Sequence, residues 1–280
     1  MLVFNKIKEL EGFISLERQK GRTIGFVPTM GALHLGHISL IETSKKQTDI
    51  TICSIFVNPN QFNNSSDLLH YPRTPENDIK LLDEAGCTIL YMPEIKDVYP
   101  EKDERVFNFG FLDSILEGAH RPGHFNGVGQ VVSILLDGIK PNKAFFGSKD
   151  YQQVLVVRSL VKQLGLLTEI IACPILRESD GLAMSSRNVR LNEQERLEAA
   201  AIPEMMKLGN QILKLYGIAE AKIYISSVVA TIPNMKLEYY EVCDAETLEL
   251  LTEFNPKQKA VSLIAVFVGN IRLIDNWMIN

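Results

Sequence analysis

The sequence predicts an α/β protein with a Rossmann-like, doubly wound parallel sheet, followed by a smaller C-terminal α+β domain. Up to residue 173, short apolar runs rich in β-branched residues alternate with longer segments of helical spacing, which is the pattern of a parallel sheet. From Pro174 onward, strand-like runs follow one another without helices between them. We therefore place a boundary at residue 176 and predict domains over residues 1–176 and 177–280.

The apolar runs of the first domain are predicted strands that are buried on both faces. They cover residues 23–27, 49–57, 88–92, 143–146 and 168–173. Helical spacing predicts a leading helix and four helices between or before these strands, over residues 2–20, from about Leu35, 75–85, 127–139 and 151–164. Pro28 has no N–H for a ladder hydrogen bond, so we expect the first strand to end there.

The second domain is predicted to combine two helices with three strands. The helices cover residues 193–215 and 219–230, and the strands cover residues 236–243, 259–268 and 271–275. A Gly- and Ser-containing loop over residues 179–188 precedes them.

Composition limits the function classes that the chain can serve. The 280 residues are 46% hydrophobic, with a formal net charge of -5 and a pI of about 5.6, which argues against a broad nucleic-acid surface. No apolar run is long enough to span a bilayer, and the first residues lack the apolar core of a signal peptide. We expect a cytoplasmic protein without a membrane partner. The four scattered cysteines are expected to be buried free thiols.

The stretch from Gly25 to His37 holds the first candidate site. It reads as a buried strand, a glycine-containing turn and the start of a helix that carries His34 and His37. Free N–H groups and the positive dipole end of that helix would suit a phosphate, and Gly36 would let a phosphate or an adenine approach the backbone. An ordinary strand–turn–helix with exposed histidines fits this stretch equally well.

Metal binding is a third possible role of His34 and His37. His120 and His124 could join His34 and His37 as ligands. Neither a His-Glu-x-x-His motif nor a cysteine partner is present, so phosphate is favoured over metal.

Like His34 and His37, the polar residues Gln61, Lys149 and Asp150 fall at predicted strand ends, where doubly wound sheets bind their ligands, and other polar candidates lie in loops or at a helix start. Gly147-Ser148-Lys149-Asp150 places a lysine where a helix begins, which suggests an anion beside it. The loop Met184-Ser185-Ser186-Arg187-Asn188 offers two hydroxyls and a guanidinium to phosphate. Gln61 and Gln153 could bind a small hydroxy acid through their amides, and Arg121 could bind a carboxylate or phosphate. Each motif by itself also fits a plain turn, loop or surface position.

Six motifs in the same order resemble the pantoate–β-alanine ligase family. They are Pro-Thr-Met-Gly-Ala-Leu-His-Leu-Gly-His, Phe-Val-Asn-Pro-Asn-Gln-Phe, Tyr-Pro-Arg-Thr, Arg-Pro-Gly-His-Phe, Phe-Phe-Gly-Ser-Lys-Asp-Tyr-Gln-Gln and Asp-Gly-Leu-Ala-Met-Ser-Ser-Arg-Asn. The resemblance covers about residues 20–190 and is specific because the motifs are co-linear. The last ninety or so residues add no motif to it.

The resemblance implies an ATP-dependent ligase of the nucleotidyltransferase superfamily. ATP and (R)-pantoate would form pantoyl adenylate and pyrophosphate, and the amine of β-alanine would then displace AMP to give pantothenate, a coenzyme A precursor. Mg²⁺ would be bound mainly through the ATP phosphates, with no protein metal site. The first domain would bind ATP and pantoate, the second would act as a lid, and the protein would be a cytoplasmic homodimer.

The resemblance also assigns residues. The implied ATP-binding residues are Met30, Gly31, Ala32, Leu33, His34, Leu35, Gly36, His37, Gly147, Ser148, Lys149, Asp150, Leu176, Met184, Ser185, Ser186 and Arg187. Gln61 and Gln153 match substrate-binding positions. The implied catalytic residues are His37, as proton donor, together with His34, Lys149 and Arg187, which would stabilise the charge that develops on phosphate.

Three other functions compete with this interpretation. An adenylyltransferase that transfers AMP to a phosphate would share the His-x-Gly-His turn but would not need paired glutamines. A tRNA-synthetase-like protein is disfavoured by the acidic charge balance. A nucleotide-binding regulator without catalytic activity is the third alternative, and it would not need the catalytic groups that the sequence retains.

Overall fold

The computed structural model describes residues 1–279, which divide into two compact units. The first unit comprises Met1–Ser148 and Gln152–Pro174. The second comprises Lys149–Tyr151 and the chain from Ile175 onward. In the described part of the chain, no helix has the length and apolarity needed to cross a membrane.

The first unit contains the predicted parallel sheet, which has six strands within residues 1–279. The strands are β1 (Leu2–Phe4), β2 (Ile24–Thr29), β3 (Ile50–Ile55), β4 (Ile89–Tyr91), β5 (Lys143–Gly147) and β6 (Glu169–Cys173). Their order is β1-β4-β3-β2-β5-β6, and every pairing is parallel. The chain winds outward from β2 in both directions, which confirms the doubly wound prediction and puts a topological switch point beside β2.

The helices of this part of the chain are α1 (Ile7–Gln19), α2 (Leu35–Gln47), α3 (Ser65–Leu69), α4 (Pro75–Glu84), α5 (Ile95–Val98), α6 (Leu116–His120), α7 (His124–Ile139) and α8 (Tyr151–Gln163). Short 3₁₀ turns cover Pro59–Gln61, Gly110–Asp113 and Ser148–Asp150. Apolar side chains cover both faces of the sheet: Phe26 and Ile52 belong to one hydrophobic cluster, and Val27 and Cys53 to the other. Successive strand residues alternate between faces, so both clusters depend on strands that are apolar throughout.

The prediction of a helix from residue 2 was wrong at its start. Leu2–Phe4 is an edge strand in parallel register with β4, and Leu2 lies opposite Ile89. Helix α1 begins only at Ile7. Apolar residues at positions 2 and 4 fit a period of two as well as a helix, and pairing with the edge of the sheet decides between them.

The expected end of the first strand at Pro28 was also wrong. β2 continues through Pro28 to Thr29, with Pro28 in register with Ser54. β5 pairs only with Gly25 and Phe26, so β2 has one neighbour at Pro28. A proline is tolerated where one side of a strand lacks a partner.

The second unit contains an antiparallel sheet and a layer of helices. Its elements are α9 (Glu193–Ala199), α10 (Ala201–Tyr216), α11 (Ile218–Thr231), β7 (Met235–Asp244), β8 (Ala260–Val268) and β9 (Ile271–Met278), and the strand order is β7-β8-β9. The single helix predicted over residues 193–215 is two helices. Pro203 lies in the first turn of α10, where its ring excludes a continuous helix through residue 199.

The cysteines have the state that the sequence predicted. Cys53, Cys87, Cys173 and Cys243 are all free and buried. Burial raises the pKa of Cys87 to about 11 and that of Cys243 to about 12, so both thiols stay protonated at neutral pH.

Candidate active site

The turn between β2 and α2 depends on left-handed backbone. Gly31 has φ +81° and Ala32 has φ +49°. A Cβ on Gly31 would lie 3.0 Å from the Ile55 side chain and 3.1 Å from the Asp78 carboxylate. Only glycine combines that conformation with so close an approach.

Asp78 of α4 holds this turn in place. Its carboxylate is buried, at 1% exposure, and accepts hydrogen bonds from the backbone N–H groups of Ala32 at 2.9 Å and Leu33 at 2.8 Å. The Thr74 hydroxyl donates to it at 3.0 Å. Sequence reasoning missed Asp78, since only the fold brings α4 to a turn 45 residues earlier.

His34 and His37 lie together at the start of α2. His34 is the N-cap, and the two imidazole rings are 4.1 Å apart between centroids. The backbone N–H of His34 donates to Nδ1 of His37 at 3.3 Å. Because Nδ1 accepts, the neutral His37 ring carries its proton on Nε2 and can donate from that atom.

The first N–H groups of α2 add donors to this turn. Within residues 1–279, the backbone N–H groups of Leu35 and Gly36 have no acceptor. Unused N–H groups and the helix dipole favour an anion at this end of the helix. The start of α2 thus presents unused donors, and phosphate binding by residues 30–37 stays a prediction.

Gln61 lies in the 3₁₀ turn after β3 and is held by two neighbours. Its Nε2 is 2.8 Å from the sulfur of Met30, and its Oε1 accepts from Nδ2 of Asn58 at 3.2 Å. Asn58 in turn accepts from the Tyr99 hydroxyl at 2.9 Å. Asn58 therefore fixes which way the Gln61 amide faces. Nothing in the sequence around Asn58 indicated that it would orient the Gln61 amide.

Two other candidate binding residues, His124 and Arg121, contact the backbone carbonyl of Gln61. Nδ1 of the buried His124 donates to it at 2.8 Å, and a guanidinium nitrogen of Arg121 lies 3.5 Å from it. Arg121 also pairs with Glu117 at 3.4 Å. These contacts give His124 and Arg121 a structural use in shaping the Gln61 turn. Among residues 1–279, no group of three or more His, Cys, Asp or Glu side chains could hold a metal ion.

The adjacent glutamines at the start of α8 differ in their surroundings. Gln152 is buried, accepts from the backbone N–H of Glu117 at 3.0 Å and donates to the carbonyls of Leu112 and Ile115. Gln153 is half-buried, and its side-chain amide has no hydrogen bond to the rest of the described chain. Gln153 therefore has its amide available for a ligand, whereas Gln152 is a structural residue.

A cavity of about 600 Å³ lies beside the β2 turn. Its walls include the following residues at the ends of β2, β3 and β4 and the start of α4: Met30, Gly31, Phe56, Thr74, Asp78 and Ile95. Gly147 and Ser148 end β5, the strand next to β2 in the sheet. The first unit thus gathers residues 30–37, Gln61 and the end of β5 at the carboxyl ends of its strands.

The second unit contains the other predicted ATP-binding residues. Lys149 and Asp150 group with it, and residues 176–184 form a short hairpin. The N–H of Met184 donates to the carbonyl of Leu176 at 3.1 Å, and the N–H of Glu178 to that of Leu182 at 2.8 Å. The loop predicted from composition alone is therefore hydrogen-bonded backbone that places Leu176 and Met184 opposite each other.

Residues 185–188 continue from this hairpin as a tight turn. The N–H of Arg187 donates to the Ser185 hydroxyl at 3.2 Å, and the N–H of Asn188 to the Ser185 carbonyl at 3.0 Å. Arg196 of α9 braces the hairpin through Glu178 at 2.8 Å and Asp180 at 2.5 Å. Hydrogen bonding to Arg196 lowers the pKa of Asp180, so the pair is ionised at neutral pH.

The whole chain matches a known family. The profile of the pantoate-beta-alanine ligase family covers residues 2–278. The chain belongs to the pantoate–β-alanine ligase family. Among curated relatives, the pantothenate synthetase of Porphyromonas gingivalis is 46% identical over 276 residues, which cover 99% of this chain and 98% of the relative. That of Cytophaga hutchinsonii is 46% identical over 281 residues, covering 100% and 99%.

Solved structures of the ligase family have the same fold. The pantothenate synthetase of Thermus thermophilus aligns with a TM-score of 0.92 at 38% identity, covering 100% of this chain and 99% of its own. The pantoate-beta-alanine ligase of Francisella tularensis, complexed with beta-gamma ATP and beta-alanine, aligns with a TM-score of 0.83 at 38% identity, covering 100% and 98%. These matches confirm both the predicted family and the predicted fold class.

Proposed function

We propose that this chain joins (R)-pantoate to β-alanine with ATP, through a pantoyl adenylate, and releases AMP and pyrophosphate. Membership of the ligase family supports the reaction, and the Francisella relative is complexed with beta-gamma ATP and beta-alanine. The observation that carries the proposal is the turn after β2, where two imidazoles with ring centroids 4.1 Å apart adjoin the unused N–H groups of a helix start. That arrangement suits the triphosphate of ATP.

In the first step, the pantoate carboxylate attacks the α-phosphate, and pyrophosphate leaves. Negative charge grows on the phosphate oxygens, so donors that already point at them lower the barrier. We assign Nε2 of His37 as a donor to the leaving phosphates, because the His34 backbone N–H occupies Nδ1. His34, Lys149 and Arg187 are assigned as further positive or donor groups.

The remaining contacts divide between ATP and pantoate. Residues 30–37, Gly147, Ser148, Asp150, Leu176 and the segment 184–187 are proposed ATP contacts. Gln61 and Gln153 are proposed to bind pantoate, since an amide can donate to a carboxylate and accept from a hydroxyl. Asn58 would keep the Gln61 amide in one orientation.

We propose that Mg²⁺ enters with ATP. Mg²⁺ keeps several waters and is commonly bound by substrate phosphates with few protein ligands. The described side chains fit this mode, because none of their His, Cys, Asp and Glu groups forms a three-ligand cluster. When bound, the ion would supply positive charge to the phosphates. We also propose a cytoplasmic homodimer, on the resemblance to the family.

One assay tests the function. The protein is incubated with ATP and Mg²⁺, with and without pantoate and β-alanine, and pyrophosphate, AMP and pantothenate are followed. We expect pyrophosphate release to require pantoate, and AMP and pantothenate release to require β-alanine as well. Pyrophosphate release that ignores pantoate would contradict the ligase assignment and favour an adenylyltransferase.

A further inference from the structure

Strand β9 carries two buried polar residues side by side. Asp275 is 3% exposed and Asn276 is 4% exposed. Burying polar groups is unfavourable unless they are hydrogen-bonded, so their partners show what they hold. Consecutive side chains of a strand point to opposite faces, and β9 runs in unbroken register with β8, so the two residues reach different segments.

Asn276 holds the backbone of Lys149. Its Nδ2 donates to the Lys149 carbonyl at 2.9 Å, across 127 residues of sequence. The hydroxyl of Tyr151 donates to the carbonyl of Ala245 at 2.7 Å. These two bonds fix both ends of the segment Lys149–Tyr151 within the second unit.

Asp275 holds the hairpin of residues 176–184. Its carboxylate forms a two-pronged ion pair with Arg177, with N···O distances of 2.7 and 3.0 Å. Arg177 also donates to the carbonyl of Gly181 at 3.1 Å, and its guanidinium lies 4.9 Å from the ring centroid of Trp277. Planar paired contacts of this kind fix an arginine in one geometry.

We infer that Asn276 is a positioning residue for Lys149, on a strand that Asp275 also ties to the hairpin that carries Leu176 and Met184. The inference rests on the proposed function, in which these segments contact ATP. Lysine has a long flexible stem, so a fixed backbone removes one of the sources of displacement of its ammonium group. Small displacements of a charge-stabilising group lower the rate strongly.

A double-mutant cycle tests this inference. Single-turnover pyrophosphate release is measured for the wild type, Asn276→Ala, Lys149→Ala and the double variant, over a range of ATP concentrations. We expect Asn276→Ala to lower kcat/KM for ATP about tenfold, as the loss of one positioning hydrogen bond would. In the Lys149→Ala background, the same substitution should change the rate by less than about twofold. A purely structural role would give the same loss in both backgrounds.

A second variant and a matched control separate positioning from folding. Asn276→Asp keeps the side-chain shape but has no N–H to donate to the Lys149 carbonyl. The control, Asn210→Asp, makes the same change at another buried site of the second unit, where Asn210 accepts a hydrogen bond from the Tyr240 hydroxyl. We expect only Asn276→Asp to raise the KM for ATP, whatever the two melting temperatures. Equal KM values for both variants, or additive losses in the cycle, would overturn the inference.

The same data distinguish a failure of the proposed function from a failure of the positioning role. A wild type that releases no pantoate-dependent pyrophosphate contradicts the ligase reaction itself. A normal wild type with an unaffected Lys149→Ala variant removes Lys149 from the site and overturns the positioning role with it.

Discussion

One backbone contact decides which nitrogen of the neutral His37 ring carries the proton. The N–H of His34 donates to Nδ1, so Nε2 carries the proton of the neutral ring. The His-x-Gly-His spacing is responsible, because it puts one histidine at the N-cap of α2 and the other at its third position. The same spacing brings the two ring centroids to 4.1 Å, with the rings tilted by 39° to each other.

His37→Ala should slow adenylate formation by about 10²–10³-fold, because it removes a donor to the leaving phosphates. The fold should survive, since the lost contact is a single cap bond worth about 1 kcal/mol. Single-turnover pyrophosphate release and thermal melting measure the two effects. His70→Ala is the control, because His70 is exposed at the end of α3. Unchanged single-turnover adenylation in His37→Ala would remove His37 from its proposed role.

Gln61→Ala should raise the KM for pantoate with a smaller effect on the KM for ATP. The amide is 9% exposed and oriented by Asn58, so its loss leaves the pantoate oxygens without a fixed partner. Asn58→Ala should shift the same constant in the same direction, because it frees the amide to rotate. Steady-state kinetics with each substrate varied in turn checks both. An effect on ATP alone would contradict the assignment of Gln61 to pantoate.

At the scale of elements, the β2–α2 turn is a strained connection held from outside. Ala32 is a non-glycine residue at φ +49°, a conformation that is unfavourable unless neighbours impose it. Asp78 imposes it by accepting the N–H groups of both Ala32 and Leu33. The start of α4 therefore supports the proposed phosphate-binding turn.

Asp78→Asn should lower the free energy of unfolding by about 1–3 kcal/mol, since the amide can accept only one of the two N–H groups well. We also expect a higher KM for ATP, because the turn loses its support. Glu76→Gln on the same helix is the matched control, as Glu76 is exposed and forms no ion pair with the rest of residues 1–279. Chemical denaturation and ATP kinetics are the measurements. Equal effects of the two substitutions would show that the turn does not depend on Asp78.

The connection after β7 gives a pH prediction. The side-chain N–H of Gln258 and the backbone N–H groups of Thr247 and Glu246 lower the pKa of Asp244 to about 2. A carboxyl whose pKa is lower in the folded state stabilises the fold above its unfolded pKa, and that contribution is lost as pH falls through its folded pKa. We therefore expect the stability difference between wild type and Asp244→Asn to be full above about pH 5, to shrink as pH falls through about 2 and to disappear near pH 1. Unfolding curves at several pH values between these limits test it. A difference that does not change over this interval would contradict the assignment.

At the scale of the whole molecule, each unit has a hydrophobic core of its own. The first has clusters on both faces of the parallel sheet, and the second has a cluster between its helices and its antiparallel sheet. Of the residues proposed to contact ATP, some belong to the first unit and some to the second. Within the second unit, β9 holds two distant segments in place: Asp275 pairs with Arg177, and Asn276 donates to the carbonyl of Lys149.

Removal of divalent metal should leave the protein's Tm unchanged while abolishing turnover, because we propose that Mg²⁺ is bound mainly by ATP. Dialysis against EDTA followed by melting and activity measurements tests this, with MgATP added back to restore turnover. A Tm that falls on dialysis and recovers with Mg²⁺ alone would instead indicate an ion held by the protein.

Local pattern by itself determined the parallel sheet, the strand–turn–helix of residues 25–37, the buried thiols and, through co-linear motifs, the family. These features depend on residues that are close in sequence or on a period that the sequence displays. Only the tertiary structure decided that Leu2–Phe4 pairs as a strand and that β2 passes through Pro28. It alone assigned Asp78, Asn58 and Asn276 their partners. Their hydrogen bonds join residues far apart in the chain or depend on side-chain orientation, which neither spacing nor composition specifies.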